Sequence, residues 1–166
     1  RTPAAGFSGT FRAACVFGGY VYLFGTAGEV QRSPDGLTWT RVASGQIAQD
    51  IQSVAVNSKG LVAVSAASNV SALVTTNGQD WTPIRFDLLF PRLDGWALAQ
   101  RDDLLVSDDM IVLPSSSGYV LMTHDLETWE AMRCGTANWQ FAKASGGDLF
   151  MVDATGNVGK AARLYD

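Results

Sequence analysis

The sequence predicts an all-β fold, a β-propeller of about four blades. Three observations carry this reading. Three similar heptads recur along the chain, each opening with a hydroxyl residue and closing with Trp. From Trp39 to Trp81 is 42 residues and from Trp81 to Trp129 is 48, the period of a four-stranded blade. Short apolar runs bounded by Gly-rich or polar joints surround each heptad, a pattern of short strands and tight turns.

The heptads are Ser33-Pro34-Asp35-Gly36-Leu37-Thr38-Trp39, Thr75-Thr76-Asn77-Gly78-Gln79-Asp80-Trp81 and Thr123-His124-Asp125-Leu126-Glu127-Thr128-Trp129. Each lies between two strand-like runs, so each is read as the hairpin joining the third and fourth strands of a blade. The two inner strands lie upstream. In the first repeat they are 13–17 and 20–24, joined by Gly18-Gly19. In the second they are 53–56 and 61–65, joined through Ser58-Lys59-Gly60. In the third they are Trp96 to Ala99 and 110–113, with a long joint from Gln100 to Asp109. A fourth repeat starts near Trp139, turns at Gly146-Gly147 and stops inside its heptad at Asp166. The single domain 1–166 thus divides into blades at about 11–45, 50–86, 95–134 and 138–166. Three are complete; the fourth lacks its outer strand unless the N-terminus or a partner supplies it. Arg1-Thr2-Pro3-Ala4 resembles Trp81-Thr82-Pro83-Ile84, so one reading has residues 1–9 as a closing strand that would hide the open edge; the others are a fragment of a larger propeller and closure between subunits.

The heptad chemistry is local. The hydroxyls of Ser33, Thr75, Thr123, Thr38 and Thr128, with the side chains of Asp35, Asn77 and Asp125, can bond backbone groups of their own turns. Gly36 and Gly78 permit positive φ where the hairpin reverses. The third turn carries Leu126 at that place, so a different geometry is expected. Trp39, Trp81 and Trp129 are expected to pack between neighbouring blades.

Composition narrows the function classes. Apolar residues make up 47% and charged residues 17%, a globular balance. The net charge is −4 and only Lys59, Lys143 and Lys160 are lysines, so no nucleic-acid partner is expected. No apolar run reaches membrane-span length, so no membrane insertion is expected either. The N-terminus lacks a secretory pattern, and opening on Arg rather than Met is what a processed or excised chain would show. Cys15 and Cys134 read as small buried hydrophobes, not as a disulfide or a zinc site. No cofactor or metal is expected.

The heptads resemble the Asp-box, or BNR repeat, of sialidase-like propellers, whose form is Ser-x-Asp-x-Gly-x-Thr-Trp. Here the turn is one residue shorter. The short version, Ser33-Pro34-Asp35-Gly36-Leu37-Thr38-Trp39-Thr40, is also similar to repeats in bacteriophage tail and other virion proteins. The sialidase resemblance implies three arginines on a substrate carboxylate, a Tyr–Glu pair, an Asp acid/base and an Arg-Ile-Pro segment. No Arg-Ile-Pro occurs; Phe11-Arg12-Ala13 and Pro91-Arg92-Leu93 are the nearest echoes. Only Glu29, Glu127 and Glu130 are glutamates, and Asp102-Asp103 with Asp108-Asp109 read as a solvated loop. His124 sits at a variable turn position, and no nucleophile-elbow or phosphate-loop spacing is present. No catalytic residue is assigned.

Segment 85–109 departs most from the repeat. Phe86, Leu89, Phe90, Trp96, Leu104 and Leu105 are apolar and bracketed by charges, which reads either as one blade's long loop tucked under its neighbour or as a protruding contact loop. The expectation is a non-enzymatic structural or binding propeller. It would sit in a virion such as a phage tail, with an assembly or adhesive role. Its partners would be other subunits, with a cell-surface glycan or receptor also open. The alternative is a fragment of a sialidase-like glycoside hydrolase.

Overall fold

Within each sheet, every described strand pairs antiparallel with the next one in sequence, as the short joints between them favour. The computed structural model describes residues 9–65, 71–91, 104–108, 110–114, 118–133, 139–145, 148–153 and 155–161. The first sheet is β1 (Phe11–Phe17), β2 (Tyr20–Gly25), β3 (Val30–Ser33) and β4 (Thr40–Ala43). The second is β5 (Ile51–Val56), β6 (Leu61–Ser65), β7 (Ser71–Thr75) and β8 (Thr82–Arg85). The third is β9 (Leu105–Ser107), β10 (Met110–Pro114), β11 (Tyr119–Thr123) and β12 (Glu130–Arg133). The fourth holds β13 (Trp139–Ser145), β14 (Asp148–Asp153) and β15 (Val158–Ala161). Every sheet is an antiparallel meander in sequence order. The first strands lie side by side, β1 against β5, β5 against β9 and β9 against β13.

The joints explain the register. Gly18 and Gly19 take φ of 57° and 81°, and Phe17 pairs with Tyr20 across a two-residue hairpin. At the second joint Asn57 caps its own loop, its Oδ1 accepting from Lys59 N at 2.9 Å. Residues 146 and 147 lie outside the described residues.

Burial follows radial position. The middle strands β6, β7 and β10 are buried at every residue, while β8 and β12, on the outer edges, are largely exposed. One core cluster joins the first and second sheets through Tyr22, Phe24, Ile51, Leu61, Leu73 and Trp81. The other joins the second and third through Val62, Val64, Val74, Ile111, Leu113 and Leu121. Fully burying each of these aliphatic chains contributes about 1.5–3 kcal/mol, so the joints between sheets carry much of the stability.

Three sequence expectations are corrected. The inner strand of the third sheet is Leu105–Ser107, not Trp96–Ala99, and Ser107 pairs with Met110. A three-residue strand between Asp pairs has too little periodicity to stand out from a solvated loop. Leu105 therefore belongs to a sheet and not to a protruding loop. Phe86 opens a single-turn helix, α1 (Phe86–Leu89), and is 2% exposed in the core, so it is not a surface contact. Phe90 and Leu104 are partly buried against that core, whereas Leu89 is 52% exposed. Trp96 and residues 1–8 of the closing strand expected at 1–9 lie outside the described residues. Cys15 is partly buried, and burial pushes its thiol up to about 12. Cys134 lies outside the described residues.

Candidate functional site: the repeated turns and an inner cavity

The repeated carboxylates are turned inward on their own loops. In the first turn Asp35 Oδ1 accepts from Leu37 N at 2.8 Å and Thr38 N at 2.7 Å. Ser33 Oγ donates to the same oxygen at 2.9 Å and accepts from Gly36 N at 2.8 Å. These donors, Thr38 N–H first, then Leu37 N–H and the Ser33 hydroxyl, lower the Asp35 carboxyl to about 2. Asn77 repeats the geometry with an amide, accepting from Gln79 N at 2.8 Å and Asp80 N at 2.9 Å. Asp125 accepts from Thr128 N at 2.7 Å and Glu127 N at 2.9 Å, and Thr128 Oγ1 donates to its other oxygen at 2.7 Å. The Thr128 backbone and hydroxyl, then Glu127 N–H, lower the Asp125 carboxyl to about 2.

The third turn keeps the geometry of the first two, against expectation. Leu126 takes φ 68°, beside 74° at Gly36 and 72° at Gly78. Its N–H donates to Thr123 Oγ1 at 2.9 Å, as Gly78 N–H does to Thr75 Oγ1 at 2.8 Å. A left-handed Leu is strained. The strain is offset because its side chain is 2% exposed in the core between the second and third sheets.

Two of the closing Trp rings dock on aromatic residues of the preceding repeat. Trp81 sits edge-on to Tyr22 and Phe24, with ring centroids 6.2 and 6.0 Å away. Trp129 meets Phe86 at 4.8 Å in the same edge-on manner. Trp39 is half-buried and donates Nε1–H to Gly36 O at 3.3 Å. The matching carbonyl in the second turn, Gly78 O, instead accepts from Tyr22 Oη at 3.1 Å across the sheet boundary.

A different set of polar groups faces the inner strands. A cavity of about 370 Å³ is lined by Arg12, Ala13, Ala14, Gln52, Ser53, Val54 and Leu104. Arg12 Nη2 stands 3.5 Å from an Asp50 carboxylate oxygen, and both side chains are 36% exposed. Asp50 also accepts from Ala27 N at 3.2 Å. Ser53 is 4% exposed, and its Oγ has no hydrogen-bond partner among the described residues. A β-bulge falls near the start of three inner strands, between Phe11 and Ala13, Ile51 and Ser53, and Trp139 and Phe141. The residues skipped by the ladder are Arg12, Gln52 and Gln140. Sequence reading missed these positions because an unpaired residue leaves no local signature.

Other arginines are engaged away from this cavity. Arg32 stacks on Tyr20, Arg133 on Tyr119, Arg41 pairs with the buried Glu29, and Arg85 with Asp87. Arg92, Arg101 and Arg163 lie outside the described residues. His124 is exposed on the third turn. Among the described residues no three metal-ligating side chains stand together, and no helix is long and apolar enough to cross a membrane.

No protein-family model matches the chain, and no curated protein matches it. Solved structures do resemble it. The computationally designed Ika4 protein aligns with a TM-score of 0.63 at 10% identity, over 97% of this chain and 96% of that one. YCF48 bound to D1 peptide aligns with a TM-score of 0.65 at 14% identity, over 98% and 52%. The C-terminal WD40 domain of Sif2 aligns with a TM-score of 0.64 at 14% identity, over 98% and 46%. What is shared at these identities is the fold, and the chain is a β-propeller. It spans about half the length of the YCF48 and Sif2 structures.

Proposed function

We propose that the chain is a non-catalytic β-propeller of the Asp-box type that holds protein partners, as a structural or adhesive part of a virion such as a phage tail. The observation that carries the reading is the saturation of the turn acids. Asp35 and Asp125 accept three or more bonds each from their own turns and are held as carboxylates. A general acid near neutral pH needs the opposite shift. Among the described residues, the inner cavity offers polar groups to a partner that the turns do not use. YCF48, whose structure holds a bound D1 peptide, supports peptide binding on this kind of scaffold. The short Ser33-to-Thr40 repeat supports the phage-tail context.

Two measurements test this reading. Antibody against the chain is expected to label the tails of purified phage particles that encode it. The purified chain is expected to release no fluorophore from a 4-methylumbelliferyl sialoside. Unlabelled particles would remove the virion role, and fluorophore release would overturn the non-catalytic reading.

A further inference from the structure

We infer that the inner cavity is a carboxylate-binding site that takes an Asp or Glu side chain of a protein partner, recognised by Arg12 with Gln52 and Ser53. The inference rests on the partner-binding reading above and names its chemistry. It starts from the bulges. A bulge lifts one residue out of the ladder and re-aims its side chain, and bulges cluster at rims and beside sites. Here the residues released in β1 and β5 are both long side chains with N–H donors, Arg12 and Gln52, and both line the cavity. The backbone of the inner strand β13 carries a bulge at the corresponding place, between Trp139 and Phe141.

The second observation is Ser53. It follows the bulge in β5, is 4% exposed, lines the cavity, and has a hydroxyl with no partner among the described residues. A buried polar atom without a partner is costly, and a ligand that supplies one gains by that amount. The Arg12–Asp50 contact is long at 3.5 Å, and Asp50 also accepts from Ala27 N. A guanidinium has five N–H donors, so Arg12 can keep Asp50 and still present a fork to a second carboxylate.

The remaining lining decides between two sources of a carboxylate. Ala13, Ala14, Val54 and Leu104 complete the described wall. The small apolar wall and the volume of about 370 Å³ fit an acidic side chain with its flanking backbone. Free sialic acid is therefore the competing outcome and not the assignment.

The test uses the whole chain and an immobilised set of hexapeptides. Each carries one Asp or Glu in a Gly, Ala and Ser background and is matched to its Asn or Gln counterpart. The acidic member of each pair is expected to be retained about tenfold better, the size of one charge-assisted hydrogen bond. Arg12→Gln should abolish the preference, Ser53→Ala should weaken it severalfold, and Arg32→Gln, whose guanidinium stacks on Tyr20, should leave it intact. Thermal unfolding of each variant shows that the fold survives; if Arg12→Gln does not fold, Gln52→Ala and Ser53→Ala carry the test. Equal retention of acid and amide peptides, or a preference that persists in Arg12→Gln, overturns the assignment but leaves partner binding standing. Retention of no peptide, with N-acetylneuraminic acid bound instead, overturns both the assignment and the protein partner.

Discussion

Gly36 and Gly78 occupy the same place in successive turns, with φ of 74° and 72°, yet their surroundings differ sharply. A Cβ built on Gly36 meets nothing within 4 Å, whereas one on Gly78 would collide with Tyr22 Oη. Ala at either site pays the left-handed penalty of about 1–2 kcal/mol, partly offset by about 0.4–1 kcal/mol from the stiffer unfolded chain. Gly36→Ala is therefore expected to cost about 1 kcal/mol. Gly78→Ala must also push Tyr22 away, losing its buried hydrogen bond to Gly78 O. Leaving that pair unmade adds about 1–3 kcal/mol, and displacing Tyr22 from Phe24 and Trp81 adds more. The total is about 3 kcal/mol, or about 6–12 °C in Tm for a chain of this size. Urea and thermal unfolding followed by Trp fluorescence measure both variants. Tyr22→Phe in the Gly78→Ala background should recover part of the loss, since the phenolic oxygen is the atom in the way. Equal destabilisation by Gly36→Ala and Gly78→Ala would refute the cross-sheet role of that contact.

Other outcomes follow from the same geometry. Leu126→Gly relieves a positive φ but deletes a 2% exposed side chain, so it should destabilise by about 2 kcal/mol net; a stabilised variant in urea titration would show that the side chain carries no core packing. Trp81→Ala should cost about 3–5 kcal/mol and Trp39→Ala less than half of that, because Trp39 is only half-buried; calorimetry that finds the two equal contradicts the docking described. Asp35 and Asp125 titrate near 2 in the folded chain, below the ordinary carboxylate value of 3.8. Their contribution is thus present above about pH 4 and is lost as pH falls toward 2. Asp35→Asn should flatten the urea midpoint against pH in that window, and an unchanged profile would count against the turn hydrogen bonds.

What could be read without coordinates was the part written in local chemistry. The Ser33, Asp35 and Thr38 bonds span at most three residues, so residue types alone foretell them. Gly18-Gly19 announces its hairpin in the same way. The misses are tertiary. Leu126 in a left-handed turn is acceptable because its side chain joins a core cluster with residues distant in sequence, such as Ala55 and Ile111. The apolar segment around Trp96 outweighed the short Leu105–Ser107 strand on propensity, but pairing with Met110–Val112 decided the sheet. Arg12, Gln52 and Ser53 gave no signal as a group, since they come from two strands about 40 residues apart that meet only when the sheets dock.

The meander has a kinetic side. Among the described residues every ladder joins strands that are neighbours in sequence, so a sheet can zip without closing a long loop. The turns, made of seven contiguous residues, are ready corners for that zipping. Docking one sheet on the next is the step that unites Trp81 with Phe24 and Leu126 with Val62. Folding should therefore be limited at the boundaries between sheets, as in repeat proteins whose cooperativity lies in neighbour contacts. Amide exchange would then protect each middle strand as a unit with its neighbours, and a substitution at a boundary, such as Gly78→Ala, would release two sheets to solvent together.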